Sequence, residues 1–446
     1  MGVESLEAAI RRAGSAVGLL RDSAVRPHTF PVAPEFTNWR SEQRAWRTSC
    51  ALLDQSHHMT DLYLGGPDAL KLLTAYGVNT FQNFVPGKAK QYVAVNSDGY
   101  FIGDAILFSL GDGLFDLVGH PTVINWLQFH ATGFDVTVER DDNSYDRPSG
   151  PPKVYRYELQ GPAALPLVEK LTGELPDVKF FHTTEFTIAG HRVRALRHGM
   201  AGRPGFELFG PWAEGEEILR AILGAGAEFG LVRAGAKAYS TANLESGWIP
   251  AVVPAIFGPD ELSYRDWLPA GALGSLGGSM DSADITDYYC TPYDLGYGKT
   301  VRFDHDFLGR AALEPMEQRR AKVTLVWHPS DVAAAVRSLC EPGVPAKFVD
   351  LPKARYALYQ ADKVLRGGEA VGISTDVGYI ANEQAFVSLA TVGLAASEPG
   401  TEVTVIWGEE PNSAKPAIEP HRQVEIRATV APAPYVREIR ESYRKS

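Results

Sequence analysis

The chain opens on a helical stripe. Leu6, Ile10, Ala13, Val17 and Leu20 recur at helical spacing, Arg11, Arg12 and Arg21 lie off the stripe, and Ser5 stands where a cap is needed. Pro27, Pro31 and Pro34 end that pattern, and a second helix is predicted over 39–46. The texture then alternates. Residues 61–64 predict a strand, Gly66-Pro67 a turn and 68–74 a helix with Pro near its first turn. Residues 91–95 and 100–110 predict paired strands, because Asn96-Ser97-Asp98-Gly99 between them is hairpin chemistry. A strand over 114–118 and a helix over 121–131 follow. Residues 186–196 and 205–209 predict another pair of strands, and 213–229 an amphipathic helix. The Gly- and Pro-rich stretch 250–282 predicts irregular structure, and loops of that length often carry function. After Arg319-Arg320 come short alternating runs at 322–327, 371–373, 386–390, 403–407 and 424–430, which predict a mostly β C-terminal domain.

One unit occurs twice. Tyr63-Leu64-Gly65-Gly66-Pro67-Asp68-Ala69-Leu70 is similar to Glu158-Leu159-Gln160-Gly161-Pro162-Ala163-Ala164-Leu165, each a strand, a Gly-Pro turn and a helix. Two α+β lobes of similar plan are expected, from an old duplication or from independent use of a common unit. Asp, Asn, Ser, Gly and Pro over 141–152 suit the connection between them. The expected division is 1–320 for the two lobes and 321–446 for the β domain.

Composition narrows the function classes. The 446 residues carry 43 Lys and Arg against 54 Asp and Glu, a net charge of −11. That balance argues against a nucleic-acid or anionic-membrane partner and leaves room for a local basic pocket. Cys50, Cys290 and Cys340 are too scattered for a disulfide framework or a cysteine zinc site and suit a reducing compartment. Charged residues near the N-terminus are unlike a signal peptide, and no uncharged apolar run is long enough for a membrane span. A soluble cytoplasmic protein is expected. The glycines at 271, 274, 277 and 278 have the wrong order for a dinucleotide fingerprint, there is no phosphate-binding GxxxxGK[ST], and His57-His58 lacks companion ligands. No metal site is expected.

Three short stretches carry more chemistry: Gly99 to Asp104, Gly205-Phe206-Glu207-Leu208, and Asn243-Leu244-Glu245-Ser246-Gly247-Trp248. An acid among apolar residues is costly to bury without a donor. A ring with adjacent N–H groups, such as a pterin edge, is one such donor; backbone amides capped by the same acids are the other. Together with Asp306-Phe307-Leu308-Gly309-Arg310 and Thr291-Pro292-Tyr293-Asp294-Leu295-Gly296-Tyr297-Gly298, these stretches resemble the tetrahydrofolate-binding glycine-cleavage T-protein (aminomethyltransferase) superfamily. Gly103 stands where that family has an acid, and Asn243 where it has an arginine. Within it, Ala33 to Arg40, Asp54-Gln55-Ser56-His57-His58-Met59, Ala89-Lys90-Gln91-Tyr92-Val93, Leu196 to Gly202 and Leu244 to Pro250 look like the bacterial vanillate and 3-O-methylgallate O-demethylases.

The resemblance implies an α+β fold of two related lobes plus a C-terminal β-barrel, arranged as a three-domain cloverleaf. It also implies transfer of a methyl group from a methoxyarene (vanillate, 3-O-methylgallate or syringate) to tetrahydrofolate, in the catabolism of lignin-type aromatics. Asp104, Glu207, Glu245, Trp248 and Gln91 are the implied cofactor-binding residues. Tyr239 is the implied acid on the departing oxygen: a phenolate leaving group has a conjugate acid near pKa 10, and a tyrosine hydroxyl matches it. His57 or His58 would assist it, His58 being favoured. Gln55, His120, His28, Phe30 and Trp248 are expected beside the substrate, Phe257 as a further stacking ring, and Lys88 or Lys90 at the glutamate tail of folate. Where the relatives have an arginine for the substrate carboxylate, this chain has His120, a weaker and pH-dependent anion contact. An ortho-methoxybenzoate such as dicamba therefore stays in view, as does folate-dependent transfer from sarcosine, dimethylglycine or a sulfonium. An iron–sulfur maintenance role is disfavoured, because the third segment lacks its cysteine. A monomer and a homodimer are both compatible with the sequence.

Overall fold

A computed structural model describes residues 3–175, 177–272, 274–409 and 415–441. The N-terminal stripe folds as two helices, Leu6–Ala13 and Ala16–Asp22. Ser5 caps the first as expected, but Gly14 at φ 81° ends it, and Ser15 caps the next. The helix Trp39–Thr48 follows.

The first lobe is a five-stranded antiparallel sheet in the order Ala89–Val95, Phe101–Gly111, Leu114–Gly119, Thr60–Gly65, Thr137–Asp141. The helices Ala69–Tyr76 and Pro121–His130 bury Leu72, Leu73, Val123 and Leu127 in its core. The predicted hairpin is present: Asn96 Oδ1 accepts from the Asp98 and Tyr100 amides, and Gly99 takes φ 79°. The second lobe is a six-stranded sheet in the order Leu231–Ala234, Cys50–Asp54, Val154–Gln160, Gly205–Pro211, His191–Arg197, Thr183–Ile188. The apolar run expected as one strand over 186–196 is a hairpin, turned at Ala189 and Gly190, both at positive φ. The repeated strand–turn–helix unit occupies the same place in both lobes. Its glycines are obligatory: Gly66 (φ 103°) and Gly161 (φ 128°) would each drive a Cβ to within 2.8 Å and 2.6 Å of a backbone oxygen.

The stretch over 250–282 is largely irregular, as expected, but holds the short helix Leu262–Trp267. Beyond it, Glu369–Ile380, Asp362–Arg366, Glu402–Trp407, Val424–Pro432, Arg320–Trp327 and Ala385–Gly393 form a sheet that closes when its first and last strands pair. This barrel packs Trp327, Trp407, Leu325 and Val405 inside. Among the described residues no helix is long and apolar enough to cross a membrane.

Candidate active site

The lobes meet around a buried guanidinium. Arg156, on Val154–Gln160, is 2% exposed and is ion-paired to Glu207 (3.1 Å), Asp116 (3.5 Å) and Asp61. Burial alone would lower its pKa, but the three carboxylates outweigh that and raise it. Burial pushes Asp116 and Glu207 up. Two residues along the same strand, the Glu158 carboxyl is pushed to about 8 by burial, with Glu207 adding to the shift, although the Met200 amide (2.7 Å) and Gln55 donate to it.

Above this network lies the pair that the sequence singles out. Tyr239, ending the helix Ala236–Tyr239, has its Oη 2.7 Å from His58 Nε2. Burial, reinforced by Glu158 and Glu207, raises the Tyr239 hydroxyl well above its ordinary value. Burial, helped by Arg156 and His57, lowers His58 to about 4. The pair is therefore a phenol and a neutral imidazole throughout the neutral range. Both keep part of their surface accessible despite dense packing, so the pair can be reached from outside the protein.

Rings continue the wall. Phe30 lies edge-on to His58 with centroids 6.0 Å apart, His28 is 6.4 Å from Phe30, and Tyr145 stacks on His28 at 3.7 Å. The 141–152 segment expected to connect the lobes thus also covers this wall. Ser144 holds it there, with its amide on the His57 carbonyl (2.8 Å) and its hydroxyl on His57 Nδ1 (2.8 Å). His57 is turned to that loop, and His58 faces Tyr239. His120 caps the helix Pro121–His130 with its Nδ1 2.9 Å from Thr122 Oγ1; part of its surface stays open to solvent, yet the dense surroundings of the ring, then Arg355, lower it to about 4.

A second polar group forms around Asp104. Trp248 Nε1 (2.9 Å), Tyr297 Oη (2.6 Å) and Gln91 Nε2 all donate to Oδ2, so Oδ1 has no hydrogen bond from the described protein. Burial raises the Asp104 carboxyl against these donors. The segment 236–248 carries Tyr239 at one end and Trp248 at the other, which ties the two groups together.

Some candidates are placed elsewhere. Glu245 does not join Asp104: its Oε1 accepts from Trp46 and Asn382, each at 2.9 Å, and its buried Oε2 has no partner. Glu207 is held by Arg156 and Gln55 by Glu158. Lys88 and Lys90 are taken by the carbonyls of Asn83 and Thr80, Lys90 lying over Phe81 and Phe84. Phe257 packs against the first lobe's core. The sequence assigns no role to Arg156 or Arg355, while Tyr297 enters it only within the Thr291 to Gly298 stretch and Glu158 only as part of the repeat. Among the described residues no group of three or more His, Cys, Asp or Glu is placed to hold a metal.

Neutral buried histidines give a stability prediction. His58, His130 and His198 are each lowered by burial to about 4, against about 6.5 in an unfolded chain. The unfolded state then binds more protons between those values, so stability should fall as pH drops from about 6.5 towards 4. Urea midpoints at pH 7 and pH 5 check this; equal midpoints would contradict it.

Comparison with known proteins places these features in context. The family model described as the GCVT N-terminal domain matches residues 13–251. The chain is 44% identical to syringate O-demethylase of Sphingobium sp. (strain NBRC 103272 / SYK-6), over 99% of this chain and 98% of that one. It is 32% identical to sesamin methylene transferase of Sinomonas sp. (strain No.22), over 84% of each. Among solved structures, glycine cleavage system aminomethyltransferase T from Bartonella henselae shares the fold, with a TM-score of 0.61 at 19% identity over 92% of this chain and 91% of that one.

Proposed function

Because this chain belongs to the GCVT (aminomethyltransferase) family, we propose that it is a tetrahydrofolate-dependent O-demethylase of methoxybenzoates, with a syringate-like acid as substrate. The observation that carries the reading is the 2.7 Å contact between Tyr239 and a neutral His58 in the cleft. An aryl ether releases a phenolate, and Tyr239 is a phenol placed to protonate it; burial makes Tyr239 a weaker acid than a free phenol, and a leaving oxygen desolvated in the same site becomes more basic with it.

Tetrahydrofolate, when bound, supplies the nitrogen nucleophile that accepts the methyl group. The residues present fit it: Asp104 offers a carboxylate oxygen without a protein partner, flanked by Gln91 and the Trp248 ring. Tyr239 holds the proton at Oη. Burial, with a smaller contribution from Glu158 and Glu207, discourages its loss to solvent, so it leaves only when a more basic oxygen is presented. His58, as the Nε2–H tautomer, donates to Oη and turns the phenolic hydrogen towards the substrate. Phe30 and His28 give the Tyr239–His58 pair an aromatic flank against which a flat ring can pack, with Tyr145 stacked on the far side of His28. Glu245, braced by Trp46 and Asn382, fixes the short helix that carries it rather than a ligand.

Asp104→Asn removes the charge from the proposed pterin contact. Losing one partner of a buried polar pair costs about 1–3 kcal/mol, so tetrahydrofolate binding should weaken about 5- to 150-fold. Calorimetric titration reads this, and wild-type affinity in a variant of unchanged melting temperature would remove Asp104 from the site. The function itself is tested by incubating the protein and tetrahydrofolate with syringate, vanillate, 3-O-methylgallate, dicamba and sarcosine. Folate-dependent release of a phenol from the first three supports the reading; turnover of sarcosine alone contradicts it.

A further inference from the structure

The cations that the lobes bring near the ring-lined wall, Arg147 and Arg156, are already ion-paired to carboxylates of their own, and His28, His58 and His120 are lowered, chiefly by desolvation. A further cation comes from the C-terminal part of the chain. Residues 353–359 are fastened to neighbouring segments of both the N-terminal region and the lobes. Lys353 Nζ donates to the Ser240 carbonyl at 2.8 Å, next to Tyr239. The Leu358 amide donates to Ser275 Oγ (3.1 Å), which donates to the Val25 carbonyl (2.5 Å), three residues before His28. The Tyr359 side chain lies beside Thr122, two residues past His120.

Arg355 lies in the middle of this segment. Its charge is felt by both His28 and His120. Nη2 donates to the Leu358 carbonyl at 2.9 Å, and among the described residues no carboxylate is ion-paired with Arg355. Asp376, the carboxylate that senses it, is engaged by Lys353 (2.8 Å) and Asn243 (2.6 Å). A partly buried guanidinium with free donors, close enough to His28 and His120 to shift them, matches a planar aryl carboxylate, which it can grip through two parallel hydrogen bonds.

We propose that Arg355 binds the carboxylate of the substrate, so that the C-terminal segment, not the lobe carrying His120, sets the preference for an aryl acid. This rests on the O-demethylase reading. The test compares syringate with 2,6-dimethoxyphenol, the same ring without the carboxylate, for the wild type, Arg355→Ala and Arg355→Lys. Arg355→Ala should raise KM for syringate about 10- to 150-fold, the loss expected of a charge-assisted hydrogen bond, with kcat within about threefold. Arg355→Lys should recover part of it, and KM for the neutral ring should move less than about threefold. Calorimetric binding of syringate without folate should show the same ranking. An unchanged KM and Kd for syringate in Arg355→Ala, or an equal loss on both rings with a lowered melting temperature, would overturn the proposal. Wild-type protein that binds syringate through Arg355 yet releases no phenol from either ring would overturn the O-demethylase reading instead.

Discussion

Tyr239→Phe should lower kcat by about 10²- to 10⁴-fold, the contribution of a positioned general acid, while leaving folate and arene affinity nearly unchanged. The substitution removes one hydroxyl and keeps the ring that packs against His58 with centroids 5.0 Å apart. The loss should depend on the leaving group. Ring chlorines lower the pKa of the phenol produced and reduce the need for a proton, so the variant should suffer least with chlorinated substrates. A tyrosine of purely structural importance would give a lowered melting temperature and an equal loss on every ring. Single-turnover rates over a series of substituted methoxybenzoates separate the two. A loss under about threefold on all of them would take Tyr239 out of the mechanism.

Arg156→Met should destabilise the fold by about 3–5 kcal/mol, the penalty for leaving buried charges without their partner. Asp61, Asp116 and Glu207 would then face one another across the seam between the lobes. Asp116 and Glu207, which burial already pushes up, must rise further once the guanidinium is gone, above the unfolded chain where carboxyls ionise near pH 4. A raised carboxylate pKa contributes stability that is lost as pH rises, so the deficit should be larger at pH 8 than at pH 5. Denaturant unfolding at both values checks the magnitude and the sign. A change under about 1 kcal/mol would mean that the cluster is not held by Arg156.

The repeat was legible because turn chemistry is local: Gly66 and Gly161 declare their positive φ in the Gly-Pro pairs beside them. The hairpin that presents Asp104 was legible for the same reason. Long-range features were not. The strand Cys50–Asp54 joins the second sheet by pairing in parallel with Leu231–Ala234, a partner far along the chain with no local signature. Arg156 reads as an ordinary polar position on an alternating strand, and only the assembled sheets bring three carboxylates to it. Glu245 and Trp248 are three residues apart and invite one role. Gly247, at φ 71°, turns the backbone between them, and the acid goes to Trp46 while the indole goes to Asp104. Arg355 was hidden because its segment reaches the cleft only through the contacts of Lys353, Leu358 and Tyr359.

The most direct measurement of the proposed chemistry follows the methyl carbon itself. Syringate carrying ¹³C in its methoxy groups is mixed with protein and tetrahydrofolate, and the folate is recovered and read by NMR. Transfer as proposed places the label in 5-methyl-tetrahydrofolate, one equivalent per phenol released. Label recovered as formaldehyde or as a methylene folate, or phenol released without any labelled folate, would contradict it.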